Sequence, residues 1–348
     1  MSTHTTLGAG ENNHHGKSRL AGNRLERRVF LAGGGLLAAG LLGYPLLRRA
    51  GGAPQPVFLA RSQRYDGSLA RTIQNGLEAV GFDFGGVRGQ RVLLKPNLVE
   101  PHASSPHMTT HPAVIHAAAE VFRRAGAEIR LGEASAHLRD TELVLVESGV
   151  DELLRSEKIE FVDLNYAEAQ RVPNAARTSR LREFYFPKAV LEADLIVSLP
   201  KLKTHHWAGF TCALKNLYGL LPGMIYGWPK NVLHHAGIPE TIVDIAASAR
   251  PTIAIVDAIV CMEGDGPIMG SPKPMGLIAI GLNPTAVDAT IARIIGFCPE
   301  KVPYLALADG RLGPIAEDAI LQRGEPWQAL VSPFAILEQP YLQAMRAG

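Results

Sequence analysis

The chain has 348 residues, 47% of them hydrophobic and 20% charged, with a formal net charge of +2. Such a composition can bury a large core, either as one large α/β domain or as two smaller lobes. The near-neutral balance excludes a general nucleic-acid binder, which needs a strongly basic stripe, so any gathering of cations is local and marks a site.

Residues 1–56 read as a leader. A polar, Gly-rich start without periodicity is the composition of a disordered segment. Arg27-Arg28-Val29-Phe30-Leu31 then matches a twin-arginine export signal. The uncharged run Val29 to Leu47 serves either as the signal's apolar stretch or, uncleaved, as a membrane anchor, since a span needs ~20 apolar residues. The expectation is an exported protein, periplasmic or anchored to the outer face of the cytoplasmic membrane, with the twin-arginine machinery as a partner. That route carries proteins already folded, often with a cofactor inserted. "AGGAPQP" (50–56) is a linker.

From Val57 onward, short apolar runs alternate with helical stretches, the pattern of an α/β sheet with crossover helices. Strands are predicted at 56–61, 91–97, 128–134, 159–164, 194–200, 252–258 and 276–282. Several are apolar throughout, as strands covered on both faces are. "HPAVIHAAAEVFRRAGA" has Thr110 as a cap candidate, Pro112 near its first turn and Gly126 at its end. "PETIVDIAASA" and "NPTAVDATIARIIGF" are similar helices. The expected fold is α/β, a mainly parallel or mixed sheet with helices on both faces. It forms a single large domain over 57–310, with rim excursions at 171–187 and 218–237 and an extension at 311–348.

Unusual polar residues follow the strands at their carboxyl ends. Lys95 and Asn97 follow "VLL", Glu133 follows "IRLG", Lys201 and Lys203 follow "LIVSLP", and Asp257, Glu263 and Asp265 follow "IAIV". In open α/β sheets the connecting loops converge at that rim and ligands bind there. His205, Lys215 and Asn216 join the cations on a stretch otherwise apolar or small. Closely set ammonium groups need an anion, either a carboxylate or phosphate ligand or the protein's own acids. The competing reading pairs one lysine with a carboxylate and leaves the other solvated. In "CMEGDGPIMGSPKP", Gly264 and Gly266 free the backbone for close approach. Glu263 and Asp265 offer oxygens to a divalent metal, unless the segment is an ordinary Gly/Pro turn with solvated acids. The cysteines Cys212, Cys261 and Cys298 form no C-x-x-C pair, so an iron–sulfur cluster is not expected. Walker, G-x-S-x-G and dinucleotide fingerprints are missing.

Taken together, "VLLKPNL", "HPAVIHAAAEVFRRAGA", "GEAS", "ADLIVSLPKLKTHHWAGFTCALKNLYGLLPG", "IVDAIVCMEGDGPIMGSP" and "NPTAVDATIARIIGF" resemble the DUF362 family over about residues 57 to 310. Carried over position by position, the resemblance implies Lys95, Asn97, Glu133, Lys201, Lys203, His205, Lys215, Asn216, Glu263, Gly264, Gly266 and Pro267, with Lys230 and His234 fitting more loosely. Many members look fused to a ferredoxin-like four-cysteine module. This chain departs there, and the family name implies no reaction.

The residues admit two classes of function. One is an enzyme on a small anionic substrate. Lys95, Asn97, Glu133, Lys201, Asn216, Gly264 and Gly266 would bind it. Lys203, Lys215, His205 and Glu263 would perform the chemistry, with His205 moving protons and Glu263 with Asp265 holding a metal or acting as base. A lysine lowered in pKa by its neighbours could also serve as a base or form a Schiff base. The other is a non-catalytic cofactor-binding or redox-accessory protein of the periplasm.

Overall fold

The computed structural model describes residues 53–99, 104–135, 140–249 and 253–347; the leader and twin-arginine readings, which rest on residues 1–52, lie outside the described residues. Every strand expected from the sequence is present: β1 (Gln55–Ala60), β2 (Arg91–Pro96), β3 (Glu128–Glu133), β4 (Glu160–Asp163), β7 (Leu195–Leu199), β10 (Ile253–Glu263) and β11 (Ser271–Gly281). Five more were not anticipated: β5 (Ala169–Pro173), β6 (Glu183–Pro187), β8 (Lys201–His205), β9 (Gly209–Thr211) and β12 (Ile320–Gly324).

The main sheet runs β12-β1-β11-β10-β7-β2-β3-β4, with β8 and β9 branching from β10. Strands β10, β7, β2, β3 and β4 are mutually parallel, and β11 is antiparallel to both β10 and β1. The sheet is therefore mixed but mostly parallel, and the fold class is α/β. Alternation along the strands divides the apolar residues between two cores. Val92, Leu94, Val197, Ile255 and Ile280 face one core, built on helices Leu69–Ala79 and Pro112–Arg124. Leu93, Ile196, Ala254, Val256 and Ala279 face the other, built on helices Ile238–Ser248, Pro284–Ile294 and Pro303–Ala308. Burial on both faces explains why these strands read as unbroken apolar runs.

Two features position the site. First, the chain moves outward from β2 to β3 and β4, then returns to place β7 on the other side of β2, with β10 beyond it. The strand order reverses between β2 and β7, which opens a crevice at their carboxyl ends. Second, β8 continues β7 along β10. β7 pairs with Ile253 and Ala254, and β8 pairs with Asp257 and Met262. The break between them is Pro200, whose carbonyl accepts from the Asp257 amide at 2.9 Å. The Lys-x-Lys-x-His segment is thus a strand, buried along its whole length, and not a loop.

The excursion at 171–187 carries the separate β5–β6 hairpin, and that at 218–237 holds short helices over the rim. Residues beyond 311 supply β12, which lies parallel to β1 at the sheet edge, and bury Phe334, Leu342 and Met345.

Candidate functional site

A cavity of about 280 Å³ lies over the carboxyl ends of β2 and β3, close to the size range of small-molecule pockets. Its floor is an ion pair. Lys95, at the end of β2, donates to Glu133, at the end of β3, over 2.8 Å, and both side chains are almost fully buried. The same Glu133 oxygen accepts from the Leu98 amide at 3.0 Å. Asn216 secures the lysine's backbone by donating to the Lys95 carbonyl at 2.9 Å and to Ser198 Oγ at 3.1 Å. Gly219 covers the pair. A Cβ there would lie 2.0 Å from Glu133 Oε1 and 2.6 Å from Lys95 Nζ, so only glycine lets the backbone come this close.

Lys215 and Asn216 sit on a short helix, Ala213–Asn216, whose first two amides donate to the buried Asp288 carboxylate at 2.8 and 3.1 Å. Lys215 keeps partial exposure toward the cavity and holds its ammonium 3.6 Å from the centre of the Tyr218 ring. Lys203, from β8, donates to the Met108 carbonyl at 3.0 Å and also lines the cavity. Lys230 enters from the excursion in a left-handed conformation, φ 71°. It donates to Asn165 Oδ1 at 3.1 Å and to the Leu221 carbonyl.

Among the described residues, four lysines therefore face a cavity whose lining includes one carboxylate, Glu133. Desolvation, then Lys230 and Lys95, push the Lys215 pKa down to about 7. Lys230 also falls to about 7, by desolvation first, and Lys95 is lowered by burial against the pull of Glu133. Burial followed by Lys215 holds His205 well below its usual range and brings His234 to about 4. Nδ1 of His205 accepts from the amides of Trp207 at 3.1 Å and Ala208 at 3.3 Å. That leaves the proton on Nε2, so His205 is a neutral hydrogen-bond donor at the cavity and not the proton-moving base expected from sequence. Two buried polar atoms on the lining, the Asn97 Oδ1 acceptor and the Thr211 hydroxyl, have no hydrogen-bond partner among the described residues. Buried polar atoms left this way are exceptional in folded proteins.

Of the residues singled out in sequence, Lys95, Asn97, Glu133, Lys203, His205, Lys215 and Asn216 meet at this cavity, whereas Lys201, Glu263, Asp265, Gly264 and Gly266 do not line it. Lys201 is buried with Asp257 at 2.6 Å and Tyr65 at 2.9 Å, a closed cluster to which the His111 amide also donates. Its charge is already answered, so Lys201 is not a ligand contact. Glu263 is the last residue of β10, where strand pairing sets it opposite Ser271. Its carboxylate is taken by Lys273 at 3.0 Å and the Ala335 amide at 2.9 Å. Asp265 is half exposed and 3.9 Å from His206 Nδ1. The Glu263 carboxylate is thus already engaged while Asp265 stands at the surface, and no group of three or more His, Cys, Asp or Glu that could hold a metal occurs among the described residues. Gly264 and Gly266 shape the rim instead. The Gly266 carbonyl accepts from the His206 amide at 2.9 Å, and a Cβ on Gly266 would stand 2.1 Å from the Thr204 carbonyl oxygen. Pro267 and Ile268 then line the cavity. Lys230, Trp207 and Thr211 also line it. Of these, only Lys230 had a sequence signal, its loose fit to the family pattern.

A mostly parallel α/β sheet with a lysine-lined crevice at its strand-order reversal defines the class. Within that class the chain belongs to the DUF362 family, a domain of unknown function whose model matches residues 92–293. The chain is 31% identical over 291 residues to a thylakoid-associated protein of Synechocystis sp., covering 81% of this chain and 88% of that one. Among solved structures it is similar to a lactate racemase apoprotein from Thermoanaerobacterium thermosaccharolyticum, with a TM-score of 0.39 and 15% identity. That match covers 59% of this chain and 51%, about half, of the other.

Proposed function

We propose that this DUF362 protein is exported and binds a small organic anion, a carboxylate or phosphate, in the cavity above Lys95 and Glu133. The observation that carries the reading is the charge imbalance. Among the described residues, Lys95, Lys203, Lys215 and Lys230 face a space whose lining supplies one carboxylate, and that carboxylate is committed to Lys95. Clustered ammonium groups are costly in a desolvated site unless an anion joins them. Asn97 Oδ1, an acceptor without a partner among the described residues, favours a ligand that also carries a donor, such as a hydroxyl, since an orphaned buried polar group costs about 1–3 kcal/mol; the Thr211 hydroxyl, likewise unpartnered among them, can donate or accept. The mixture of a neutral histidine donor with amines near their titration point favours an enzyme over a plain anion receptor. Glu263 and Asp265 have no part in the site, and the proposal contains no metal held by them.

Calorimetric titration with inorganic phosphate and with pyruvate tests it. Binding of at least one anion is expected, weakened tenfold or more by Lys203→Met and by Lys215→Met. Failure of both anions to bind, or affinity unchanged in both variants, would sink the reading.

A further inference from the structure

We propose that Lys215 is a covalent nucleophile, an amine that condenses with the carbonyl of a small 2-oxo acid or aldehyde acid held in the cavity; the proposal rests on the anion-binding reading above.

Three observations converge on this residue. Lys215 is the one cavity lysine with neither a carboxylate nor a hydrogen-bond acceptor among the described residues; Lys95 has Glu133, Lys203 the Met108 carbonyl, and Lys230 Asn165 with the Leu221 carbonyl. Its Nζ is placed 3.6 Å from the centre of the Tyr218 ring, which fixes the nitrogen's position at the cavity; the ring face favours the ammonium form, so the lowered pKa is left to desolvation and the neighbouring lysines. The groups that face it from other elements are Lys95 with Glu133 on β2 and β3, Lys203 and His205 on β8, and Lys230 with His234 on the excursion. Desolvation first, then Lys230 and Lys95, bring Lys215 to about 7, so a substantial share of it is the unprotonated amine near neutral pH, the form that nucleophilic attack requires. The same cations can take the substrate's carboxylate.

The second half of the chemistry needs a donor for the carbonyl oxygen. His205 presents its Nε2–H at the cavity because Nδ1 is occupied by two backbone amides, so it can polarise a carbonyl without first gaining a proton. Lys215 Nζ attacks the carbonyl carbon and a C–N bond forms. The carbonyl π bond breaks onto oxygen, and a proton of the attacking nitrogen passes to that oxygen, giving the hydroxyl of a carbinolamine, a donor of the kind Asn97 Oδ1 lacks among the described residues. On taking up one proton from solvent or from a protonated cavity lysine, that hydroxyl leaves as water and the protonated imine remains. No oxidant or reductant is needed.

The test is reductive trapping on the intact folded protein. It is incubated with pyruvate and sodium cyanoborohydride, digested, and mapped by mass spectrometry. One reduced pyruvyl adduct on Lys215 is expected, saturable in pyruvate and suppressed by phosphate. Its pH profile should rise through about 7, and the adduct should be lost in Lys215→Arg. No adduct on Lys215, or adducts spread over surface lysines in proportion to their exposure, would overturn the proposal. Peptide mapping of the unaltered chain decides this even if the variant fails to fold. Calorimetric binding of pyruvate without trapping would leave the anion-binding reading standing and remove this one, whereas absence of both would remove both.

Discussion

Lys95 and Lys215 meet at one cavity in opposite circumstances. Lys95 is tied to Glu133, which pulls its pKa up against the larger lowering by burial, while Lys215 has no carboxylate partner among the described residues and falls to about 7, by desolvation first and then by Lys230 and Lys95. The titration has a consequence for stability. In the unfolded chain both Lys215 and Lys230 titrate near 10.5, and in the folded protein near 7. Between these values the unfolded state holds protons that the native state does not, so stability should rise with pH from about 7 toward 10.5. The slope is up to about 1.4 kcal/mol per pH unit for each lysine. Urea denaturation across this range should show the rise, and Lys215→Met should flatten it; identical slopes in the two proteins would mean that Lys215 titrates normally. Lys95, Asn97, Glu133 and Lys203 were legible in sequence because polar residues ending apolar strands stand out. Lys201 was misjudged because its partner Asp257 lies 56 residues away, and an ion pair across strands leaves no linear mark.

At the scale of elements, the strands buried on both faces were readable and β8 was not. Two lysines and a histidine in five residues look like a solvated loop. The segment is a strand because its backbone pairs with β10 and β9 while each cation finds a buried partner or the cavity. β10 is likewise longer than its apolar core suggests, running on to Glu263 against β11, and that extension carries Glu263 away from the cavity. The tie between β8 and β10 is the Lys201–Asp257 pair, with both side chains fully buried. Removing one partner of such a pair strands a charge in the core, so Asp257→Asn should cost about 3–5 kcal/mol. Equilibrium unfolding measures this, and a loss below about 1 kcal/mol would show that Tyr65 and the Val260 carbonyl hold Lys201 unaided.

For the whole molecule, the single α/β body and its two cores were legible from the alternation of strands and helices. The extra edge strand β12 was not, because "ILQRG" is half polar, as an edge strand can be. Replacing Arg27 and Arg28 together by lysine should hold the protein in the cytoplasm of its native host, as read by cell fractionation and immunoblotting. Undiminished periplasmic protein in that variant would return the leader to the simple anchor reading.

The position of β1 bears on how the protein is made. β1 lies between β11 and β12, antiparallel to one and parallel to the other. It is the earliest strand of the described body, yet both of its neighbours come from the last quarter of the chain. At roughly 5–20 residues per second of synthesis, β1 must wait on the order of tens of seconds, its polar edges unpaired, before either partner exists. The strands β2, β3 and β4 can pair with one another meanwhile, so the crevice wall carrying Lys95 and Glu133 can assemble while the ribosome is still at work, and β1 is fixed last. A chain that travels only when folded would be held back by that final closure.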